Sequence, residues 1–329
     1  MTPVLEFRGL SRRFERSPDI AARVAQKFGA RFDARAVQAV DAVDLAIKQG
    51  EVVGLVGESG CGKSTLGRMA AGLIRPSAGQ VLQDGRDVSE AKGREAIAAA
   101  LKVQMVFQDP STALNPRHRV EKLLTQAPVH HGLIGKRDAP ELALGLLDQV
   151  GLGPSALRRF PHQFSGGQRQ RLNIARALAV DPEVIVADEA VASLDVSIQA
   201  QVINLFLRLR EERRLTYLFI SHDLGVVEHV SDRIVVMYLG RVVEVAPTER
   251  LFSGANHPYT GSLIAERPRI RRDRSDYTPI KGELPSPLAP PPGCHFHTRC
   301  PLAKDICRAE VPRLKQVATG HLSACHLSA

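Results

Sequence analysis

Short continuous apolar runs alternate along this chain with longer stretches of helix formers, the pattern of strands buried on both faces and joined by helices. Residues 4–10 and 40–56 alternate and then turn continuously apolar, predicting two or three strands that lead into a Gly-rich segment. Between them Ile20, Val24 and Phe28 recur at helical spacing, so residues 17–37 are expected to form an amphipathic insertion that covers the sheet. Ser64 to Leu73 reads as a helix stopped by Pro76, and Val103 to Phe107 as a strand ending at Gln108. Residues 110–180 are rich in helix formers broken by Gly and Pro, which predicts a helical subdomain. Val184 to Ala187 and Leu215 to Ile220 have the composition of buried parallel strands, and further short strands are expected in RIVVMYLGRVVEV after His222. The expected fold class is α/β, with a mostly parallel sheet, an antiparallel β region near the N-terminus and the helical subdomain. From about residue 253 the character changes. The stretch 284–293 (LPSPLAPPPG) holds five prolines and should be extended and semi-rigid; a small cysteine-bearing tail follows it. The expected division is thus 1–252 and 253–329, with no internal repeat.

Composition narrows the picture in three ways. At 329 residues and 44% hydrophobic, the chain has material for an ordinary globular core. No apolar run approaches the roughly 18 residues needed to span a bilayer, and MTPVLEFRGLSRRF lacks the apolar core of a signal peptide. The expectation is a soluble protein that can sit on a membrane protein. Net charge is +9 with a pI of about 9.6, yet Arg is scattered, Trp is absent and aromatics make up only 5%. A nucleic-acid surface with stacking aromatics is therefore not expected, and the charge suits an anionic membrane surface.

The chemistry lies in four motifs. GESGCGKS follows a strand and opens a helix, the context that identifies a phosphate-binding P-loop. Its candidate contacts are Gly57, Ser59, Gly60, Cys61, Gly62, Lys63, Ser64 and Thr65: backbone amides of 60–65 cradle phosphates, Lys63 bridges the β- and γ-phosphates, and Ser64 ligates Mg²⁺. VIVADE places Asp188 at the end of a buried strand to hold Mg²⁺, with Glu189 next to it as general base for the attacking water. Gln108, at another strand end, is a candidate for both Mg²⁺ and the water, and His222, after LTYLFIS, for the γ-phosphate. In FSGGQ, Ser165 and Gln168 have capping-box spacing, while Gly166 and Gly167 admit close backbone approach at a helix start. That makes a second phosphate-binding surface. One chain cannot easily fold both surfaces around one nucleotide, so a partner subunit is implied. Asp195 is placed to cap the following helix or to touch that partner. Phe14 is the candidate for stacking on adenine, in competition with Phe7, Phe28 and Phe32.

In this order, GESGCGKST, Gln108, FSGGQ, VIVADE, SLD and His222 resemble the ATP-binding subunits of ABC transporters, P-loop NTPases, over residues 4–260. VFQDPSTALNP, SLDVSIQAQV, ISHDLGVVEHVSDRIVVMYLGRVVE, HPYT and KGELPSPLAPPPGCHFHTRCP further resemble the oligopeptide/dipeptide uptake ATPases, a group that includes nickel and glutathione importers. The resemblance implies ATP and Mg²⁺ as ligands and two ATPs sandwiched between two such subunits, sister or identical. Lys63, Ser64, Gln108, Asp188, Glu189 and His222 would act in cis, and Ser165, Gly166, Gly167, Gln168 and Asp195 from the partner. It also implies two integral membrane permease subunits met near Gln108 and residues 109–119, a solute-binding protein acting indirectly, and a peripheral place on the cytoplasmic face of the inner membrane. One departure is Ala190, where the family usually has Pro after the catalytic Glu. The rival reading, a soluble ABC ATPase acting on nucleic acid or ribosomes, lacks the paired cassettes or long coiled-coil insertion frequent in those proteins.

Four of the five cysteines, Cys294, Cys300, Cys307 and Cys325, fall in the tail with the spacing C-x5-C-x6-C-x17-C. Structural zinc sites tend to pair ligands at C-x2–4-C, and no such pair exists here. A [4Fe–4S] cluster takes four thiolates across wider loops and is the expected centre, with Zn²⁺ or packed free thiols as alternatives. His295, His297 and His326 flank the cysteines as possible substitutes.

Overall fold

A computed structural model describes residues 2–15, 36–266 and 282–328. The insertion expected at 17–37, with Ile20, Val24 and Phe28, lies outside the described residues apart from its last two positions, as do Phe28 and Phe32 in their role as rivals to Phe14.

Two sheets form the frame. The first is antiparallel, in the order β2-β1-β4-β5, built from β1 (Leu5–Glu15), β2 (Ala36–Ile47), β4 (Ala78–Gln83) and β5 (Arg86–Asp87). The second runs β11-β12-β10-β9-β3-β8-β7-β6. Its centre is parallel: β6 (Val103–Val106), β7 (Val184–Asp188), β8 (Thr216–Ile220), β3 (Val52–Val56) and β9 (Arg233–Tyr238). The α/β expectation holds, including the antiparallel N-terminal region and the buried strands at 184 and 215. The segment 40–56 is split between the two sheets, since Lys48 to Glu51 form a turn.

Period-2 alternation explains why the central strands have no polar face. In β3, Val52 and Val56 enter one core while Val53 and Leu55 enter another; β7, β8 and β9 divide likewise, Ile185 from Val186, Phe219 from Leu218, Val236 from Val235. The first core is shared with the helical subdomain, in which helices Val120–His130, Ala139–Gln149 and Gly166–Leu178 contribute Leu124, Leu146 and Ile174. The second core takes Leu66 and Met69 of helix Lys63–Ala70, and Phe7, Val43 and Ile47 of the antiparallel sheet. Arg241 bonds Asp41 at 2.6 Å, and the Asp41 amide donates to Gly240, which ties β2 to the main sheet.

The tail is stitched into this frame. β12 (His321–Ser323) pairs antiparallel with β10 (Arg241–Pro247), and β11 (Lys315–Ala318) pairs with β12. Glu244 of β10 is fully buried and accepts the amides of Asn256 and His257 and a bond from His321 Nε2 at 2.7 Å. His257 Nδ1 accepts the Tyr259 amide at the start of helix Pro258–Ala265, and burial pushes His257 down to about 4, which keeps that nitrogen free to accept. No helix among the described residues is long and apolar enough to cross a membrane.

Candidate functional site

The P-loop connects β3 to helix Lys63–Ala70, and its glycines are required by space. Gly57 and Gly62 have φ of 151° and 107°, and a Cβ at either would stand 2.2 Å from Met237 O or 2.1 Å from Ala39 O. Packing this tight lets the loop amides curl toward a bound phosphate. Lys63 is buried, and its ammonium donates to Gly57 O at 2.6 Å and Glu58 O at 2.9 Å, so it spans the loop from beneath. Ser59 and Gly60 are exposed, and Ser64 and Thr65 half-buried, on the open side. Cys61 is 1% exposed and its thiol is pushed up by burial, which makes it a packing residue of the loop.

Ser64 and Asp188 meet: the Ser64 hydroxyl donates to Asp188 Oδ1 at 2.7 Å. Burial pushes the Asp188 carboxyl up while the Ser64 bond pulls it down. An oxygen-bearing hydroxyl and a poorly solvated carboxylate in contact are hard donors of the kind Mg²⁺ selects, so the pair fits that ion. Glu189 follows at φ 49°, a left-handed conformation held by its amide bond to Ile220 O at 2.9 Å. This turn aims the carboxylate off the strand end, toward His222, whose Nδ1 lies 3.4 Å from Glu189 Oε1. His222 is exposed and Glu189 half-buried, so a water can reach both. Ala190, at the position where the resemblance implies Pro, is buried in the core.

Gln108 is exposed just past the end of β6. What holds its segment was missed from sequence: Gln170 Nε2 and Asn173 Nδ2 both donate to Phe107 O, and Arg176 donates to Ala113 O. These three polar residues project from the buried side of helix Gly166–Leu178, and polar side chains in an otherwise apolar stripe were the available signal.

The FSGGQ helix starts as its spacing predicts. Ser165 is the N-cap, its hydroxyl accepting the Gln168 amide, while Gln168 Oε1 accepts the Ser165 amide. Ser165 and Gly166 are exposed, and no polar contact joins 165–168 to 57–65 among the described residues. Gly167 is needed because a Cβ there would lie 2.3 Å from Ile198 Cγ2. Asp195 does stand at the N-cap of helix Val196–Arg213, but its side chain makes no capping bond and stays exposed, so the capping role falls away. Phe14 is 38% exposed with the Arg12 guanidinium 4.6 Å from its ring centre, whereas Phe7 is a core residue.

The metal centre expected in the tail has no assembled ligand set. Among the described residues no group of three or more His, Cys, Asp and Glu side chains stands where it could hold a metal ion. Cys294, Cys300, Cys307 and Cys325 are free thiols. Burial pushes Cys294 up to about 11, with smaller contributions from Cys307, Cys325 and Cys300. Of the flanking histidines, His295 faces Leu239 O, His297 faces Cys294 O and His326 faces Glu310 O.

Residues 40–192 match the family model described as ABC transporter, and residues 243–307 the one described as oligopeptide/dipeptide transporter, C-terminal region. The oligopeptide transport ATP-binding protein AppF of Bacillus subtilis is 51% identical over 297 residues, covering 88% of this chain and 90% of its own. A relative in Brucella ovis is 45% identical over 325 residues, 98% of each chain. Among solved structures, the dimeric ATP-binding cassette MJ0796 in a post-hydrolysis state with ADP and phosphate superimposes at a TM-score of 0.63 and 26% identity, covering 74% of this chain and 98% of that one. The structure of cbiO1 from Clostridium perfringens gives 0.64 at 23%, covering 77% of this chain and 92% of that one, a likeness of fold. With a relative at half identity along most of its length and a P-loop cassette for a frame, the chain belongs to the ABC transporter family as one of its ATP-hydrolysing subunits.

Proposed function

We propose that this subunit hydrolyses ATP to drive import of oligopeptides, dipeptides or a related small solute through separate membrane-spanning subunits, from the cytoplasmic face of the membrane. The observation that carries the reading is the group formed by Lys63, Ser64, Asp188, Glu189 and His222, with an FSGGQ helix start whose Ser165 and Gly166 are exposed and make no polar contact with that group among the described residues. Lys63 binds the β- and γ-phosphates, Ser64 and Asp188 hold Mg²⁺ with Gln108, and Glu189 takes the proton of the attacking water. Mg²⁺ supplies neutralisation of charge on the phosphate oxygens. His222 orients Glu189 and contacts the γ-phosphate, and Phe14 stacks on adenine. Ser165, Gly166, Gly167, Gln168 and Asp195 complete the site of a second subunit, sister or identical. The names borne by such relatives, an oligopeptide transport ATP-binding protein in Bacillus subtilis among them, support peptides as the cargo.

An open groove of about 680 Å³ supports the membrane contact. It is lined by Met105, Phe107, Asn115, Leu123, Gln126 and Arg176, and so includes the residue that precedes Gln108 in sequence. A helix of a permease subunit seated there would feel the Gln108 segment move through the Phe107 bonds to Gln170 and Asn173. Co-expression with its two permeases should retain the protein in detergent-solubilised membranes and give peptide uptake that stops without ATP. ATPase activity stimulated several-fold by DNA or RNA, with steep salt dependence, would instead favour the nucleic-acid rival.

Residues 1–252 form the catalytic part of this proposal and 253–329 the extension. A [4Fe–4S] cluster on Cys294, Cys300, Cys307 and Cys325, or Zn²⁺ in its place, belongs to it too. Its support is the count and spacing of the thiols and their mutual electrostatic influence; binding would have to draw them together, as in other small metal-coupled segments. Anaerobically purified protein should carry four iron and four labile sulfide per chain. One zinc per chain selects the alternative, and neither metal removes the centre.

A further inference from the structure

The tail reaches the P-loop. Arg299, between Cys294 and Cys307 in sequence, donates from Nη1 to both carboxylate oxygens of Glu58, at 3.0 and 2.8 Å. Its side chain is only 8% exposed and Glu58's is 22%. Glu58 is the second residue of the P-loop, and three further bonds converge on its backbone, one of them from the Cys61 amide to its carbonyl. Its amide donates to the Tyr259 hydroxyl at 2.9 Å, and its carbonyl accepts from Lys63 Nζ at 2.9 Å. A continuous path of polar contacts therefore runs from the tail through one loop residue to the lysine that meets the phosphates.

The second grip is apolar. Phe296, 1% exposed, packs against Tyr238 and Tyr259 with ring centres 5.3 Å from each, and those two tyrosines lie 4.7 Å apart. A turn in which the Arg299 amide bonds Phe296 O places both grips together. Arg299 Nη1 also reaches the Tyr238 hydroxyl at 3.4 Å. A pair this shielded is not a solvated surface bridge. Removing Arg299 leaves a half-buried carboxylate without its cation, and the loop must rearrange to hydrate it.

We propose that Arg299 is a positioning residue for nucleotide binding: through Glu58 it holds the P-loop in its phosphate-ready shape, so that docking of the tail is a condition of tight ATP binding. This rests on the reading of Gly57–Thr65 as the ATP site. The loop backbone has to be ordered when phosphates bind, and a loop already held at residue 58 loses less freedom in that step. Because Arg299 touches no phosphate, the effect falls on binding and spares the chemical step.

The test measures binding of Mg·ATP and steady-state hydrolysis on the full chain. Arg299→Ala and Glu58→Gln should each raise the Kd and KM for ATP about tenfold, with kcat at saturation within about twofold. The exchange Arg299→Glu with Glu58→Arg should recover at least half of that loss. An unchanged Kd in Arg299→Ala, or a Kd no better in the exchange than in the single variants, overturns the proposal. Should Arg299→Ala fail to fold, Arg299→Met decides, since it keeps an apolar stem against Tyr238 but carries neither the charge nor a donor for Glu58: a raised KM supports positioning, and wild-type KM overturns it. Lys63→Ala separates the two readings. Wild-type ATP binding in that variant would remove the ATP site itself, whatever Arg299 does.

Discussion

Replacing Glu189 with Gln lowers ATP turnover by at least ~10²-fold while leaving nucleotide binding intact, the loss typical of a missing general base. The substitution keeps the shape of the side chain and the backbone turn at φ 49°. It also keeps an oxygen available at the position 3.4 Å from His222 Nδ1. What disappears is the ability to accept a proton from water. With hydrolysis blocked and binding preserved, Mg·ATP should hold two subunits together if, as proposed, the exposed Ser165 and Gly166 of each complete the other's site. Size-exclusion chromatography with Mg·ATP should show the dimer for Glu189→Gln and the monomer for wild type after turnover. Hydrolysis at the wild-type rate would pass the role of base to another group, and His222 would be the first to examine.

The second large effect is on stability. Glu244→Ala should destabilise the protein by about 3–5 kcal/mol, because the carboxylate is fully buried and serves three donors. Truncation leaves the amides of Asn256 and His257 and the His321 ring without an acceptor in a site closed to water. The melting temperature should fall by on the order of 10 °C. Glu244→Gln retains one acceptor oxygen and should lose clearly less. His321→Ala combined with Glu244→Ala should cost less than the sum of the two, since they share a contact. A loss under 1 kcal/mol for Glu244→Ala, measured by urea denaturation, would mean that the segment around His321 is not held through this residue.

Local chemistry was legible in the sequence, and long-range closure was not. The P-loop, the strand ending at Asp188 and the capping box at Ser165 each depend on residues within a few positions of one another, so spacing alone defines them. The tail shows the opposite case. Its cysteines drew attention because they are chemically conspicuous, whereas its anchors are Phe296, Arg299 and His321, ordinary residues whose partners lie far away. Arg299 and Glu58 are 241 positions apart, and His321 and Glu244 77. No periodicity reports such a pairing. β4 and helix Gly93–Lys102 also went unpredicted, the first because half of AGQVLQ is exposed, the second because none of its residues is buried. Asp195 shows that a favourable N-cap residue in the right place need not cap.

The pairing of β12 with β10 has a consequence for the order in which the molecule can be made. At a synthesis rate of roughly 5–20 residues per second, Glu244 of β10 is synthesised about 4–15 s before His321. Until then the outer edge of β10 is an open row of backbone donors and acceptors, and Glu244 has no ring to meet. The nascent chain is most exposed to chaperones, proteases and other nascent chains during those seconds. A nonsense codon between 247 and 321 would make that interval permanent, and its product should collect in the insoluble fraction on expression.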